Sequence, residues 1–410
     1  MKILLATSAA LPTGGGIASY NQELQRELSK DNELYLLTDS NERDIPGYIE
    51  IDTTYANPIY SFTYCQKLVD RINGSGFDLV INSNSSVIPY LAPFIKIPII
   101  SVSHFVNGRL ADSAGYNSKY MNAIVALSYY GKTYLVQKFN IQDKNKVKVI
   151  YNFVANNDSE YNEKKEKSPI LTIVYPGGTS VQKSVDVVVE TIYRLKRSNL
   201  PFRFIWIGGT NLPSSNRSLF GLRETTQMVK DERIQITGKI SREESIRYLS
   251  DTNIFLLPSR GEGCPMTLLE AMRTGCIPIV SNAHHASREL LEKCGCGEIV
   301  KQNDSRALYE TIAKIICHHK QYSSCYSATY EFSRTFLSQR EWSRQMLNLF
   351  NEALSSTKEC IPLTEKNFNR SLLPYKRLMY FDRIRTMIMS AKIRFKLDWA
   401  YFKWHILKKI

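Results

Sequence analysis

The stretch from Ile254 to Gly275 constrains the fold more than any other part of the chain. Ile254-Phe255-Leu256-Leu257 is an apolar run that reads as a buried strand, and Pro258 ends it. A turn of mostly small residues follows, Ser259-Arg260-Gly261-Glu262-Gly263-Cys264-Pro265. Met266, Leu269 and Met272 then recur at helical spacing up to a stop at Gly275. The unit is therefore strand, tight loop, helix, with Glu262 in the loop and Glu270 within the helix. Such a loop aims backbone N–H groups and a positive dipole end at whatever lies above it. Two carboxylates beside an anion site suit a ligand with both phosphates and hydroxyls, which is what a nucleotide-sugar offers.

The same grammar runs through the whole sequence. Lys2–Thr7 reads as a buried strand, and Leu11-Pro12-Thr13-Gly14-Gly15-Gly16 as a loop. A helix follows, with Ile17, Tyr20, Leu24 and Leu28 on one face. Further strands are expected at Glu33–Leu37, Phe77–Asn82, Pro98–Ser103, Ala123–Ser128 and Val147–Ile150, with helices at Ser61–Ile72 and Tyr129–Phe139. This alternation implies a mostly parallel sheet covered on both faces, with ligands at the carboxyl ends of its strands. Residues 156–167 are polar and nearly free of apolar side chains, as an exposed connection between domains would be. Beyond them Ile170–Tyr175, Gly177-Gly178 and a helix with Val185, Val188, Val189, Ile192 and Leu195 restart the pattern. Strands Phe202–Ile207, Ile234–Gly238 and Ile277–Val280 continue it, and Ser241 with Glu244 forms a capping box for the helix between.

At 410 residues the chain is long enough for two domains and an extension. Its 43% apolar and 22% charged content is that of a folded globular protein. Eight cysteines are too sparse for a disulfide framework, and Cys294-Gly295-Cys296 is too close for a zinc-type pair, so reduced thiols in a cytosolic protein are expected. The apolar run after Lys2 is too short for a signal peptide, and no run is long enough for a spanning helix.

The Glu-x7-Glu spacing within Pro258-Ser259, Glu262-Gly263 and Leu269-Glu270-Ala271-Met272 resembles the retaining glycosyltransferases of family 4. Ser128-Tyr129-Tyr130 and Val149-Ile150-Tyr151-Asn152 resemble further segments of that family, although Phe153 and Ala155 stand in place of its usual glycine and aspartate and leave Asn152 a weak site candidate. The resemblance covers residues 1–355. It implies an α/β GT-B fold: two Rossmann-like domains facing across a cleft, with a C-terminal helical extension. The implied limits are 1–160 for the acceptor domain, 161–340 for the donor-binding domain, 341–357 for a helix crossing back, and 358–410 for a basic tail.

By the same resemblance, catalysis would rest on Glu262, His104 and Lys183. Glu262 would hold a hydroxyl of the transferred sugar, and His104, just past a strand, would lie close to that sugar. Lys183 would neutralise the departing nucleoside diphosphate. Glu270 would bind the ribose hydroxyls, and Gly263, Cys264, Pro265, Met266 and Thr267 would hold the sugar and diphosphate. Gly15 and Gly16 would lie under the donor phosphates, and Gly238 and Lys239 would edge the nucleobase. One departure stands out: Gly178 occupies the place of an arginine that holds the diphosphate in the family. Arg260 is the candidate to supply that charge. Glu289 is read as structural capping. No dedicated nucleophile is needed if the leaving phosphate serves as base, and without an Asp-x-Asp motif no metal is expected. The donor would be UDP- or GDP-linked, with no further cofactor.

Residues 358–410 carry 13 Lys+Arg against 4 Asp+Glu. Leu378, Phe381, Ile384, Ile388, Ala391, Phe395, Trp399, Phe402 and Ile406 recur there at steps of three and four, with Lys392, Lys396 and Lys403 on another sector. A basic amphipathic helix with aromatic rings fits an anionic membrane surface. The stripe could instead pack on the protein's own body; no nucleic-acid module accompanies it. The expectation is a peripheral enzyme on the inner face of the plasma membrane, acting on a saccharide or lipid-linked saccharide of bacterial surface polysaccharide. A nucleotide-sugar-binding protein that kept the fold and lost transfer, motivated by Gly178, is the alternative.

Overall fold

The computed structural model describes residues 1–7, 16–38, 48–50, 61–106, 108–154, 165, 167–178, 181–208, 231–374, 377 and 388. By its contacts the chain divides into two units. The first comprises Met1–Ala155, Glu262–Met266 and Gln339–Arg383, and the second holds the remainder.

In the first unit the order is β1 (Lys2–Thr7), α1 (Gly16–Leu28), β2 (Glu33–Thr38), β3 (Tyr48–Glu50), α2 (Phe62–Gly74), β4 (Leu79–Ser83), α3 (Ile88–Leu91), β5 (Ile99–Ser103), α4 (Arg109–Gly115), β6 (Ala123–Ala126), α5 (Tyr129–Lys138) and β7 (Val147–Val149). The strands form one parallel sheet in the order β3-β2-β1-β4-β5-β6-β7. β4 and β5 are buried along their whole length, as strands of a sheet covered on both faces are, with polar residues towards their carboxyl ends. Chain order reverses between β1 and β4, which makes the carboxyl ends of these neighbours the switch point where open α/β sheets take ligands.

The second unit repeats the plan with β8 (Leu171–Pro176), α6 (Val185–Lys196), β9 (Phe202–Ile207), β10 (Ile234–Gly238), α7 (Arg242–Ser250), β11 (Ile254–Leu257), α8 (Met266–Arg273), β12 (Ile277–Ser281), α9 (Ala286–Cys294), β13 (Glu298–Val300), α10 (Ser305–Cys317) and α11 (Ser323–Thr335). Its parallel sheet runs β10-β9-β8-β11-β12-β13, and the reversal falls between β8 and β11. The apolar run Ile254–Leu257 thus sits at the centre of its sheet, and the loop that follows leaves from the switch point. The Ser241 hydroxyl and the Glu244 carboxylate cap α7 reciprocally. The sequence reading did not anticipate β3 and β13, which are three residues long with a glutamate in each.

α12 (Gln339–Ser355) belongs to the first unit, where Trp342 packs against Phe153 with ring centroids 4.6 Å apart. The chain beyond it continues across the same unit. Lys358 Nζ donates to the carbonyls of Ala92 and Tyr120, Ile361 N to Pro93 O, and Ser371 Oγ to Tyr90 O. Phe368 and Leu372 are buried in its core, with Phe368 edge-on to Phe62 and Tyr90. The amphipathic stripe read from Leu378 onward lies outside the described residues except for Ile388, which is exposed. Among the described residues no helix is long and apolar enough to cross a membrane. All eight cysteines are free thiols.

Candidate active site

In the second unit, Glu270 lies on α8 and is 5% exposed, while Arg242 opens α7. Arg242 Nε donates to Glu270 Oε1 at 2.7 Å, a charge-assisted contact that orients the carboxylate. Arg242 stands four residues past Gly238, which bends the chain after β10 with φ +71° and accepts from Gly208 N across an antiparallel bridge. Lys239 beside it is exposed.

The loops after β8 and β11 are tied together. Arg260 N donates to Gln182 O at 2.8 Å, and Gln182 Nε2 donates back to Gly261 O at 2.6 Å. Arg260 Nη2 binds Asp186 Oδ2 at 2.7 Å, an ion pair only 13% and 5% exposed. Lys183 lies between Gln182 and Ser184, and its carbonyl accepts from the Tyr175 hydroxyl at 2.9 Å. These contacts set the backbone around Lys183 as one piece with the Arg260 turn. Gly178 is exposed, and an added Cβ would meet nothing within 4 Å. Arg260 is ion-paired with Asp186, so its charge is partly balanced within the protein.

The loop Glu262–Met266 groups with the first unit. Glu262 is 7% exposed, an uncommon burial for a glutamate in a loop. Gly263 packs directly on the residue after β5: a Cβ there would lie 1.9 Å from the His104 carbonyl oxygen. Only glycine allows this approach. Asn152 Nδ2 donates to Cys264 O at 2.6 Å and anchors the same loop. Pro265 and Met266 are buried, and the Thr267 hydroxyl in the first turn of α8 is buried without a hydrogen bond among the described residues.

His104 is buried, and burial pushes its ring down to about 3. The ring is neutral at physiological pH and does not act as a cation. Its Nε2 lies 2.8 Å from Ser83 Oγ, which donates to Asn21 Oδ1 at 2.5 Å, and Asn21 Nδ2 donates to Thr7 Oγ1 at 2.9 Å. Tyr20 sits edge-on to the ring, centroids 4.9 Å apart. Thr7 and Ser83 end β1 and β4, so this chain of polar groups lies at the sheet's switch point. Gly16 starts α1 with open space around it; Gly15 lies outside the described residues. Glu289 is buried in the first turn of α9.

Sequence reasoning passed over Arg242, Gln182, Asp186, Asn21 and Ser83. Asn21 carries a signal that could have found it: it falls among Ala18, Tyr20 and Leu24 on the buried face of α1, where a polar residue needs a partner. Arg242 and Asp186 read from sequence as ordinary first-turn charges.

Comparison with known proteins follows the same division. Residues 14–157 match the family model described as Glycosyltransferase Family 4, and residues 171–318 the model described as Glycosyl transferases group 1. The putative colanic acid biosynthesis glycosyltransferase WcaL of Escherichia coli is 32% identical over 149 residues, 35% of each chain. The amylovoran biosynthesis glycosyltransferase AmsK of Erwinia amylovora is 30% identical over 151 residues, 35% of this chain and 36% of that one. The chain thus spans about a third of the length of these curated relatives. The crystal structure of Anabaena HepE in complex with UDP-glucose has the same fold, with a TM-score of 0.69, 14% identity, and coverage of 86% of this chain and 99% of that one.

Proposed function

The chain belongs to the family 4, group 1 glycosyltransferases of GT-B fold, and from that premise we propose that it is a retaining glycosyltransferase using a nucleoside-diphosphate sugar. The acceptor is a saccharide, lipid-linked, of a bacterial surface polysaccharide. Relatives named for colanic acid and amylovoran biosynthesis support the acceptor class, and a neighbour solved with UDP-glucose supports a UDP-linked donor.

The observation that carries this reading is the burial of both glutamates, one in the loop leaving a central strand and one on the helix it opens. Glutamates are rarely this buried unless they are paired. Glu270, aligned by Arg242, accepts from the ribose hydroxyls, and Glu262 accepts from a hydroxyl of the transferred sugar. Backbone N–H groups at the start of α8 and the Lys183 ammonium meet the diphosphate.

The bond between the anomeric carbon and the diphosphate oxygen breaks, and the acceptor hydroxyl oxygen bonds to that carbon on the same face. Its proton passes to the departing phosphate, so no enzyme base is required. Stabilising the leaving dianion is the largest contribution available, since one preorganised donor is commonly worth about 10²–10³ in rate. Lys183 fills the role a metal plays elsewhere, so turnover persists in EDTA.

Purified protein offered a panel of UDP- and GDP-sugars with lipid-linked saccharides tests the proposal. Transfer with the donor's anomeric configuration kept supports it; inversion, or no transfer with any pair, overturns it. A second reading, nucleotide-sugar binding without turnover, is favoured by one specific feature. Gly178 brings no cation, and Arg260 is partly balanced by Asp186. Saturable binding with no turnover selects it.

The basic segment after residue 377 is the proposed attachment to the anionic inner face of the plasma membrane. Because 358–374 packs into the first unit, the informative truncation starts after residue 377. Its release from anionic vesicles, with the full chain bound in a salt-sensitive way, supports this placement.

A further inference from the structure

We infer that Asn21 and Ser83 are positioning residues that hold His104 as its Nε2–H tautomer, leaving Nδ1 as a hydrogen-bond acceptor for a hydroxyl. The inference rests, for its use, on the reading that places His104 beside the transferred sugar.

Two proton arrangements of the polar chain are conceivable, and its distances separate them. If the Asn21 amide nitrogen faced Ser83, an N–H···O contact of about 2.9–3.0 Å would be expected. The observed separation is 2.5 Å, within the shorter range of O–H···O bonds, while the contact from Asn21 to Thr7 is 2.9 Å. Asn21 therefore turns its amide towards Thr7 and its carbonyl towards Ser83. A carbonyl oxygen only accepts, so the single Ser83 proton goes to Asn21. The Ser83 oxygen must then accept from His104 Nε2, 2.8 Å away, and that nitrogen carries the ring proton.

Nδ1 keeps its lone pair, and it has no hydrogen-bond partner among the described residues. The Tyr20 edge and the packing of Gly263 on the His104 carbonyl limit rotation of the residue. His104 thus offers a neutral acceptor held from three elements, β1, α1 and β4. It reads a hydroxyl that donates to it. Aligning that acceptor before the substrate arrives is what the relay contributes.

Long-range ¹H–¹⁵N correlation spectra of the full chain with ¹⁵N-labelled histidine test this without substrate, the His104 signals being those lost in His104→Gln. The expected wild-type pattern has a protonated Nε2 and a bare Nδ1. In Asn21→Leu the Ser83 proton is freed to bind Nε2, and the two nitrogen shifts exchange. In Asn21→Asp, whose carboxylate still accepts from Ser83, the wild-type pattern returns. A wild-type spectrum with the proton on Nδ1 overturns the inference, as does an Asn21→Leu spectrum that matches the wild type. The wild-type spectrum alone decides the tautomer if Asn21→Leu fails to fold. Adding UDP-glucose probes the functional reading separately: a displaced Nδ1 resonance supports a hydroxyl there. No displacement, with the tautomer as stated, counts against the donor assignment and leaves the relay standing.

Discussion

Arg242 and Glu270 meet at 2.7 Å between the first turn of α7 and the middle of α8, joining the segment after β10 to the helix that follows β11. The pair makes Glu270 a pre-aligned carboxylate rather than a flexible one. Arg242→Ala leaves a carboxylate 5% exposed without this partner. Hydrogen bonds to charged groups are worth about 1.5–3 kcal/mol, so nucleotide affinity should fall roughly 10- to 100-fold. Titration calorimetry with UDP and GDP checks the figure, and a urea melt separates it from loss of stability.

Gly263→Ala should be costly for a steric reason. The added methyl group would sit 1.9 Å from the His104 carbonyl, so the loop carrying Glu262 must move. Overpacking of this kind costs about 1–3 kcal/mol, and the shift takes Glu262 with it. Thermal melts should show the destabilisation and transfer assays a larger loss. Gly74→Ala, where a Cβ meets nothing within 4 Å, should match the wild type in both.

The fold was far more legible in the sequence than the site. Strands such as β4, β5 and β11 are buried on both faces, so composition alone marks them, whereas β3 and β13 are too short to show a pattern. Glu262 and Glu270 are candidates because their spacing, set in a strand, loop and helix, resembles the family pattern. Their partners could not be read this way. Arg242 reaches Glu270 from 28 residues away and Asp186 reaches Arg260 from 74, distances at which pairing is decided by strand order. Arg260 shows the consequence: sequence offered it as a spare cation, and the fold gives it a carboxylate.

His104 predicts an acid sensitivity. Its ring titrates near 6.5 in the unfolded chain and at about 3 when folded, because burial disfavours the charged form. Between those values only the unfolded chain binds the proton, so stability is lost as pH falls from about 6.5 to 3. At about 1.4 kcal/mol per unit, the contribution is a few kcal/mol. Urea midpoints measured across this range should fall less steeply in His104→Gln than in the wild type.

The segment after α12 should behave as part of the first unit. Ending the chain at Ser355 removes Phe368 and Leu372 from the core, each worth about 1.5–3 kcal/mol when fully buried. Such a protein should unfold at clearly lower urea, whereas one ending at residue 377 should keep the wild-type midpoint. Equal midpoints for both would remove the structural role given to 358–374.

The most direct measurement compares initial rates of sugar transfer by wild type, Glu262→Ala and Glu270→Ala at matched folded fractions. The rates would be taken with the donor that the nucleotide-sugar panel identifies. Both variants should lose at least about 10²-fold, Glu270→Ala chiefly through a raised donor KM. Wild-type rates in both would mean that the loop and helix after β11 do not grip the donor.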